Sequence, residues 1–372
     1  MGQRMKAVVK TRPEPGVELK LVDLPQIEPD KVLVKVEATS ICGTDVHIYN
    51  WDPWSQERIG ARGLPQILGH EVAGEVAEVG REVRHIKVGD YVSAETHIYH
   101  PRDLQTFVGQ SHLGERMKIL GVDCDGAFAE YLAIPEIVCW VNDRSIPPEF
   151  ATVQEPLGNA VYAVLGEDND VAGKSMVLIG DGPISLFAVG VARCCGVTRI
   201  FLVGMSDHNM EIGRRMGADY LLDAKRKDED RVTYIRDHTA GYGADIVLEM
   251  TGSRQGIEEG FQMLRRGGRF TAFGIASQSS LPLDYNNGIV FKGAQIHGIN
   301  GRRIFDTWYR VRNFLSSRRL DISPVITHLF KLADYERGFR TSLALPRRSA
   351  KIVLFPQEED LKKAQARMAS RR

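Results

Sequence analysis

The chain has 372 residues, and its 48 Lys and Arg residues balance 48 Asp and Glu residues. A net charge of zero argues against nucleic acid or an anionic membrane as the main partner. The length favours two domains. Five cysteines give no disulfide framework in so long a chain, and no apolar run approaches the ~20 residues that span a bilayer. The composition therefore predicts a reduced, soluble, cytoplasmic protein.

The first part of the chain, from Met5 to about Leu157, is rich in short β-like runs separated by Gly and Pro. Examples are residues 32–36, 72–76 and 90–94. Short strands with frequent turn signals favour a compact β-rich domain over a layered α/β one.

Strand and helix patterns alternate after Gly173. The strand-like runs are residues 176–179, 199–203, 220–222, 245–249, 269–273 and 294–299, with helical stretches between them. This alternation is typical of a parallel, doubly wound sheet.

The end of the chain is expected to return to the first domain. Beyond Gly301 a helical stretch is followed by a β-like run at 350–354. The predicted boundaries are therefore 1–160 together with 301–372 for the β-rich domain, and 161–300 for the α/β domain.

A glycine-rich turn follows the first strand of the α/β part. Gly180, Gly182 and Ser185 follow the spacing of a dinucleotide fingerprint, with Ser185 in place of the third glycine, and a predicted helix begins at once. Glycines permit the tight turn and let the backbone approach a pyrophosphate at the helix N-terminus. Because further strand–helix units follow, the turn predicts a dinucleotide site.

The residue that would choose between NAD and NADP is missing. NAD sites carry an acid about 20 residues beyond the glycines that binds the ribose hydroxyls, and Gly204 occupies that place. Asp207 lies too far along and is expected to cap the next helix. Without the acid, a 2′-phosphate is no longer repelled. The basic residues 225–227 are either a solvated charge run or side chains that attract the 2′-phosphate. The sequence leaves NAD or NADP open.

Cys42, His70 and Glu71 form a candidate metal site. Thiolate, imidazole and carboxylate all suit zinc, and a catalytic zinc uses about three protein ligands. Glu71 stands in an apolar setting, where an unpaired carboxylate would be costly and a metal would remove that cost. The sequence therefore predicts a catalytic zinc.

Three further side chains are candidates for the chemistry around the metal. Thr44 and His47 follow the cysteine closely and offer a hydroxyl and an imidazole for proton relay. Glu155 falls at the predicted seam between the domains, where a cleft is expected. It is either a zinc ligand or a hydrogen-bond partner near the metal.

These motifs resemble those of the zinc-dependent medium-chain dehydrogenases. The broad resemblance rests on residues 42–45, 69–71 and 180–183. A narrower resemblance, to family members that oxidise threonine, rests on residues 47–56, 155–160, 305–309 and 323–328. It extends over nearly the whole chain. It implies a β-rich, GroES-like catalytic domain beside a Rossmann domain.

The resemblance also implies residue roles. Zinc would bind Cys42, His70 and Glu71 with Glu155 nearby, and protons would leave through Thr44 and His47. The residues implied in nucleotide binding are Gly180, Gly182, Pro183, Ile184, Gly204, Phe273, Gly274, Ile275, Ile299 and Asn300. The implied reaction is oxidation of L-threonine to 2-amino-3-ketobutyrate with NAD, by a homotetramer.

The chain departs from the family pattern outside the catalytic motifs. The family usually carries a four-cysteine structural zinc lobe, but residues 95–122 contain no cysteine. His97, His100, Asp103 and His112 are present there with a spacing that matches no closed tetrahedral site. One zinc per chain is therefore predicted. Asn209 stands where an arginine that contacts the nucleotide is usual.

Other functions remain open at this point. The same zinc ligands occur in dehydrogenases of polyols, aldoses and aminocyclitols, and only residues 51–56 favour threonine as the small-molecule substrate. A non-catalytic nucleotide-binding protein is a more distant alternative.

Overall fold

The computed structural model describes residues 3–60, 63–276 and 280–371. The strands are β1 (Arg4–Lys10), β2 (Glu18–Asp23), β3 (Lys31–Ile41), β4 (Gln66–Ile67), β5 (Glu71–Val79), β6 (Tyr91–Ala94), β7 (His97–Ile98), β8 (Lys118–Ile119), β9 (Tyr131–Pro135), β10 (Cys139–Val141), β11 (Ser175–Ile179), β12 (Arg199–Gly204), β13 (Tyr220–Asp223), β14 (Ala244–Glu249), β15 (Leu264–Ala272), β16 (Gln295–Gly298), β17 (Ile326–Lys331) and β18 (Lys351–Phe355). The α-helices are α1 (Gly43–Asn50), α2 (Pro53–Gly60), α3 (Leu104–Phe107), α4 (Pro148–Ala151), α5 (Gln154–Leu165), α6 (Pro183–Cys194), α7 (Asp207–Met216), α8 (Arg231–Asp237), α9 (Arg254–Met263), α10 (Asp306–Ser316), α11 (Tyr335–Leu343) and α12 (Glu358–Ala369).

A mixed seven-stranded sheet forms the centre of the β-rich part. Its order is β10-β6-β5-β3-β18-β17, with β9 also paired to β3. Strand β3 pairs antiparallel with β5, where Ser40 lies opposite Glu71. On its other side β3 pairs with β18, where Ile41 lies opposite Ile352. This register brings the start of the last strand beside the residues that follow β3.

The second sheet is parallel and has six strands in the order β13-β12-β11-β14-β15-β16. This is the doubly wound order in which ligands bind where the carboxyl ends of the strands diverge, between β11 and β14. Every residue of β11 is buried, as expected for a central parallel strand covered by helices on both faces. The predicted class, a GroES-like β-rich domain with a doubly wound Rossmann domain, is confirmed.

Helix α5 joins the two sheets. Nearly all of its residues are buried, and it packs against α6 and α10. The largest hydrophobic cluster contains Ala38 and Val353 from the first sheet, Leu157 from α5 and Leu178 from the second. Because α5 begins at this junction, its first turn places Glu155 between the two sheets.

A helix that crosses a bilayer must be both long and apolar. Within the described ranges, no helix combines the length and the apolar character that a bilayer crossing requires.

Candidate active site

The loops that carry the candidate zinc ligands are tied together by Asp45. Cys42 directly follows β3 and precedes α1, and its backbone N–H donates to Asp45 Oδ2 at 2.9 Å. Asp45 Oδ1 accepts from the N–H of Gly69 at 3.2 Å. Gly69 has φ +87°, and a Cβ there would lie 2.2 Å from the Phe128 ring. Only glycine fits this turn, which delivers His70 to the cluster.

Cys42, His70 and Glu71 converge on one point. Their ligand atoms all lie within 4.8 Å of one another. His70 and Glu71 are buried, and His70 Nδ1 has no hydrogen-bond partner among the described residues. Burial by itself lowers the pKa of His70, but the charges of Cys42 and Asp45 outweigh it and raise that pKa to about 10. The pocket thus stabilises positive charge, and its S, N and O donors suit zinc.

Glu71 is oriented by two neighbours that the sequence motifs did not reveal. Ser40 Oγ donates to its Oε2, and Lys351 Nζ donates to its Oε1 at 2.5 Å. The lysine also donates to the carbonyl of Ile41 at 3.1 Å. Burial lowers the pKa of Lys351, but the Glu71 and Cys42 charges outweigh it and raise that pKa. Each carboxylate oxygen keeps a further lone pair, so Glu71 can still bind a metal.

Glu155 is held by Arg302, a further residue that sequence reasoning missed. Arg302 is fully buried; its Nη1 donates to Glu155 Oε1, and its Nε donates to Glu95 Oε2 at 2.8 Å. Glu95 also accepts from Trp308 Nε1 at 2.7 Å. Burial raises the pKa of Glu95, but the charge of Arg302 and the hydrogen bond with His97 hold it well below its usual range. The network fixes the carboxylate of Glu155, whose charge acts on both His70 and Glu71.

The two candidate relay residues lie on α1. Thr44 Oγ1 is 3.9 Å from Cys42 Sγ, at the edge of the ligand cluster. His47 lies one turn further on and is exposed, with its Nδ1 2.5 Å from Asp52 Oδ2. Burial raises the pKa of Asp52, but hydrogen bonds from Ser55 and His47 outweigh it and lower that pKa. Asp52 is thus an ionised partner for His47.

The glycine-rich turn lies at the carboxyl end of β11. Gly180 has φ +118°, and Gly182 is the N-cap of α6 with Pro183 in its first turn and Ile184 half-buried behind it. Ser185 Oγ donates to the carbonyl of Gly180 at 2.6 Å. The serine therefore braces the turn while remaining small enough for the helix to pack closely.

The other predicted nucleotide residues lie at the ends of neighbouring strands. Phe273 and Gly274 follow β15, and both backbone N–H groups donate to the carbonyl of Glu249 at 3.0 Å. Ile275 is 93% exposed. Ile299 and Asn300 follow β16 (Gln295–Gly298). These residues share the carboxyl edge of the sheet with the glycine-rich turn, where a dinucleotide binds in this topology.

The turn after β12 differs from the sequence prediction. Ser206, not Asp207, caps α7, and its Oγ accepts from the N–H of Asn209 at 3.2 Å. The prediction of an Asp207 cap was wrong because the hydroxyl one residue earlier has the extended backbone that a cap requires. Asp207 instead pairs with Lys225 at 2.9 Å.

The segment without cysteines is organised by an ion pair. Asp103 is buried and accepts from Arg116 Nε at 2.6 Å and from the Arg116 backbone N–H at 3.0 Å. His97 joins the Glu95 network and His112 packs edge-on against Tyr162 at 5.5 Å. These contacts separate the histidines of the segment into different surroundings.

Two family models together match more than half of the chain. Residues 28–143 match the alcohol dehydrogenase GroES-like domain, and residues 183–317 match the zinc-binding dehydrogenase domain. The chain belongs to the zinc-dependent medium-chain alcohol dehydrogenase family. The predicted enzyme class is confirmed at this level.

Individual relatives cover almost the full length. The chain is 44% identical over 353 residues to L-threonine 3-dehydrogenase of Caldanaerobacter subterraneus subsp. tengcongensis, covering 95% of this chain and 99% of the relative. It is 45% identical over 340 residues to L-threonine 3-dehydrogenase of Pyrococcus abyssi, covering 91% and 95%. Among solved structures, 2R,3R-butanediol dehydrogenase of Bacillus subtilis superposes with a TM-score of 0.85 at 28% identity, covering 95% of this chain and 100% of that one.

Proposed function

We propose that this dehydrogenase oxidises the secondary hydroxyl of L-threonine to the ketone of 2-amino-3-ketobutyrate, with hydride transfer to NAD or NADP. The observation that carries the proposal is the convergence of Cys42, His70 and Glu71 within 4.8 Å of one another. Relatives that bear this activity in their names share 44–45% of residues over nearly the whole length, which supports threonine as the substrate.

Cys42, His70 and Glu71 would hold one zinc ion, with Glu155 beside it as a fourth ligand or hydrogen-bond acceptor. Zinc bound there would act as a Lewis acid that lowers the pKa of the substrate hydroxyl. Lys351 and Ser40 hold the carboxylate of Glu71 in place. Such outer partners orient a ligand and hold it ready for the metal.

Thr44 and His47 would conduct the proton away from the substrate. Thr44 Oγ1 lies at the edge of the ligand cluster, 3.9 Å from Cys42 Sγ, and is the first acceptor. His47 is exposed and hydrogen-bonded to Asp52, so it can pass a proton on to solvent. Helix α1 thus spans the path from the buried cluster to the surface.

The dinucleotide would lie along the carboxyl edge of the second sheet. Gly180, Gly182 and Pro183 would receive the pyrophosphate at the start of α6. Residues 184, 204, 273–275 and 299–300 would contact the remainder of the nucleotide. The hydride acceptor would then lie next to the zinc cluster, between the two sheets.

A substrate panel tests the proposal. Initial rates of nicotinamide reduction are measured with L-threonine, sorbitol, 2,3-butanediol, an aldose and an aminocyclitol, each with NAD and NADP. The highest kcat/KM is expected with L-threonine, and Cys42→Ser and His70→Ala should lose both zinc and turnover. A higher kcat/KM with a polyol, aldose or aminocyclitol would assign the alternative substrate, and no turnover with any would favour a non-catalytic nucleotide-binding protein.

We also propose a cytoplasmic homotetramer. Strand β16 lies at the edge of the parallel sheet and its Ile296 is 46% exposed; such an edge is suited to pairing with another chain. Light scattering should give four times the chain mass of 41.5 kDa. A monomer mass would refute the assembly without affecting the proposed chemistry.

A further inference from the structure

The place of the missing acid is filled from another loop. Strand β12 ends at Gly204, where a carboxylate would bind the adenosine ribose in an NAD site. A Cβ on Gly204 would lie 2.7 Å from Asp181 Cβ and 2.8 Å from Asp181 Oδ2. Real side chains do not approach so closely. A side chain at 204 and Asp181 in its observed position therefore exclude each other.

The carboxylate of Asp181 is anchored where the acid would stand. Its Oδ2 accepts from the backbone N–H of Met205 at 2.8 Å and of Ser206 at 2.6 Å. Asn209, fully buried, donates through Nδ2 to the carbonyl of Asp181 at 2.9 Å. Asn209 thereby fixes the backbone of the glycine-rich turn, and the two amides fix the carboxylate.

These contacts also remove groups that could bind a 2′-phosphate. Backbone N–H groups at the start of the helix after the second strand can donate hydrogen bonds to a phosphate. Those of Met205 and Ser206 already donate to Asp181. Of the nearby basic run, Lys225 is paired with Asp207 and Arg226 with Asp228. Asp181 therefore brings a negative charge to the place where the acid would stand.

We propose that Asp181 makes this enzyme specific for NAD, with Oδ1 accepting from the adenosine ribose hydroxyls and the carboxylate repelling a 2′-phosphate. This rests on the proposed nicotinamide-dependent function and adds the cofactor that the sequence left open. A carboxylate beside a phosphate also costs binding energy through like-charge repulsion. Within the described residues Asp181 forms no ion pair that would neutralise it.

Calorimetric titration of the zinc-loaded protein with ADP-ribose and with 2′-phospho-ADP-ribose tests the assignment. The wild type should bind ADP-ribose roughly 10- to 100-fold more tightly than 2′-phospho-ADP-ribose. This is the range expected when a hydrogen bond to a charged group is lost and a like-charge repulsion is added. Asp181→Asn keeps an acceptor for the two amides but removes the charge, and should reduce the preference to about threefold or less. Glu211→Gln, which removes an exposed carboxylate of α7 that pairs with Arg214, should leave the preference unchanged.

Three results would overturn the proposal. They are a wild type that binds both ligands equally or prefers the 2′-phosphate, an Asp181→Asn protein that binds both ligands as the wild type does, and an Asp181→Asn protein that loses affinity for both ligands equally. The last result would make Asp181 only a support of the loop. Neither ligand contains nicotinamide, so a failure of threonine oxidation would refute the proposed function and leave this measurement valid.

Discussion

Lys351 Nζ lies 2.5 Å from Glu71 Oε1, although 280 residues separate the two in sequence. Both side chains are buried, so the pair is shielded from water and salt. The contact exists because β3 lies between β5 and β18, which bring the two residues to the same end of the sheet. Burial raises the pKa of Glu71, and the charge of Lys351 opposes that rise, so the lysine favours the ionised carboxylate and orients it.

Replacing this lysine should weaken zinc binding. Lys351→Met keeps the aliphatic stem but leaves Glu71 without its cation. The loss of a residue that orients a metal ligand typically costs 10- to 100-fold in metal affinity or activity, and a loss of about that size is expected here. Competition against a chelator of known affinity measures the change.

Two variants serve as controls for that experiment. Lys331→Met removes an exposed lysine that pairs with Glu358 at 2.8 Å, and it should bind zinc as the wild type does. Lys351→Arg retains the charge and should recover part of the affinity. Unchanged zinc affinity in a folded Lys351→Met protein would refute the role assigned to the pair.

Glu155 should contribute to turnover more than to zinc retention. Its carboxylate is engaged by Arg302, so Glu155→Gln is expected to keep zinc while kcat falls roughly 100-fold, the scale of losing one hydrogen-bonding group in an active site. Zinc content and kcat are measured on the same preparation. Glu149→Gln is the matched control, since Glu149 is also buried and ion-paired, with Arg367 at 2.7 Å. A parallel loss of zinc and turnover in Glu155→Gln would instead make Glu155 a ligand.

The segment around Asp103 should fold without metal. The Asp103–Arg116 pair at 2.6 Å bridges the segment, so Asp103→Asn should lower the melting temperature without changing the zinc content. Elemental analysis of the purified protein should give one zinc per chain in both proteins. Two zinc ions per wild-type chain would contradict this expectation.

Acid should destabilise the protein partly through His112. The side chain is buried, and its Nε2 has no hydrogen-bond partner among the described residues. Burial and the charges of His97 and Arg303 lower its pKa from 6.5 to about 4. The unfolded chain therefore binds a proton that the folded chain does not, and stability falls as pH drops from about 6.5 towards 4.

The variant His112→Phe isolates this effect. Phenylalanine keeps the ring that packs against Tyr162 but cannot titrate. Between pH 7.5 and 5 the wild type should lose about 2 kcal/mol more of its unfolding free energy than the variant. Urea unfolding at the two pH values gives the difference. Equal losses in the two proteins would show that His112 does not titrate in this range.

The sequence predicted those parts of the site that depend on local spacing. Cys42 and His70 were predicted from their chemistry and neighbouring glycines, and the doubly wound sheet from the alternation of strands and helices. Their partners could not be predicted in the same way. Lys351 stands 280 positions from Glu71, and Arg302 stands 147 positions from Glu155. These residues meet only in the folded chain, and neither lies in a motif that indicates such a contact.

The substitution at Gly204 shows a different limit. Gly204 stands where an acid is usual. From that position alone, the sequence predicts that the ribose site has lost its negative charge. In the folded protein Asp181 supplies a carboxylate to the same place from the neighbouring loop. Asp181 lies within the glycine fingerprint, so the acid itself is visible in the sequence. The direction of its side chain is not, because the backbone N–H groups of Met205 and Ser206 set it.

The central claim is that zinc held by Cys42, His70 and Glu71 supports threonine oxidation. The most direct test is to strip the metal with a chelator, confirm by circular dichroism that the fold survives, and titrate zinc back while following L-threonine-dependent reduction of NAD. Activity should be absent at first, rise linearly, and level off at one zinc per chain. Full activity in the metal-free protein, or no recovery when zinc is restored to a folded protein, would contradict the claim.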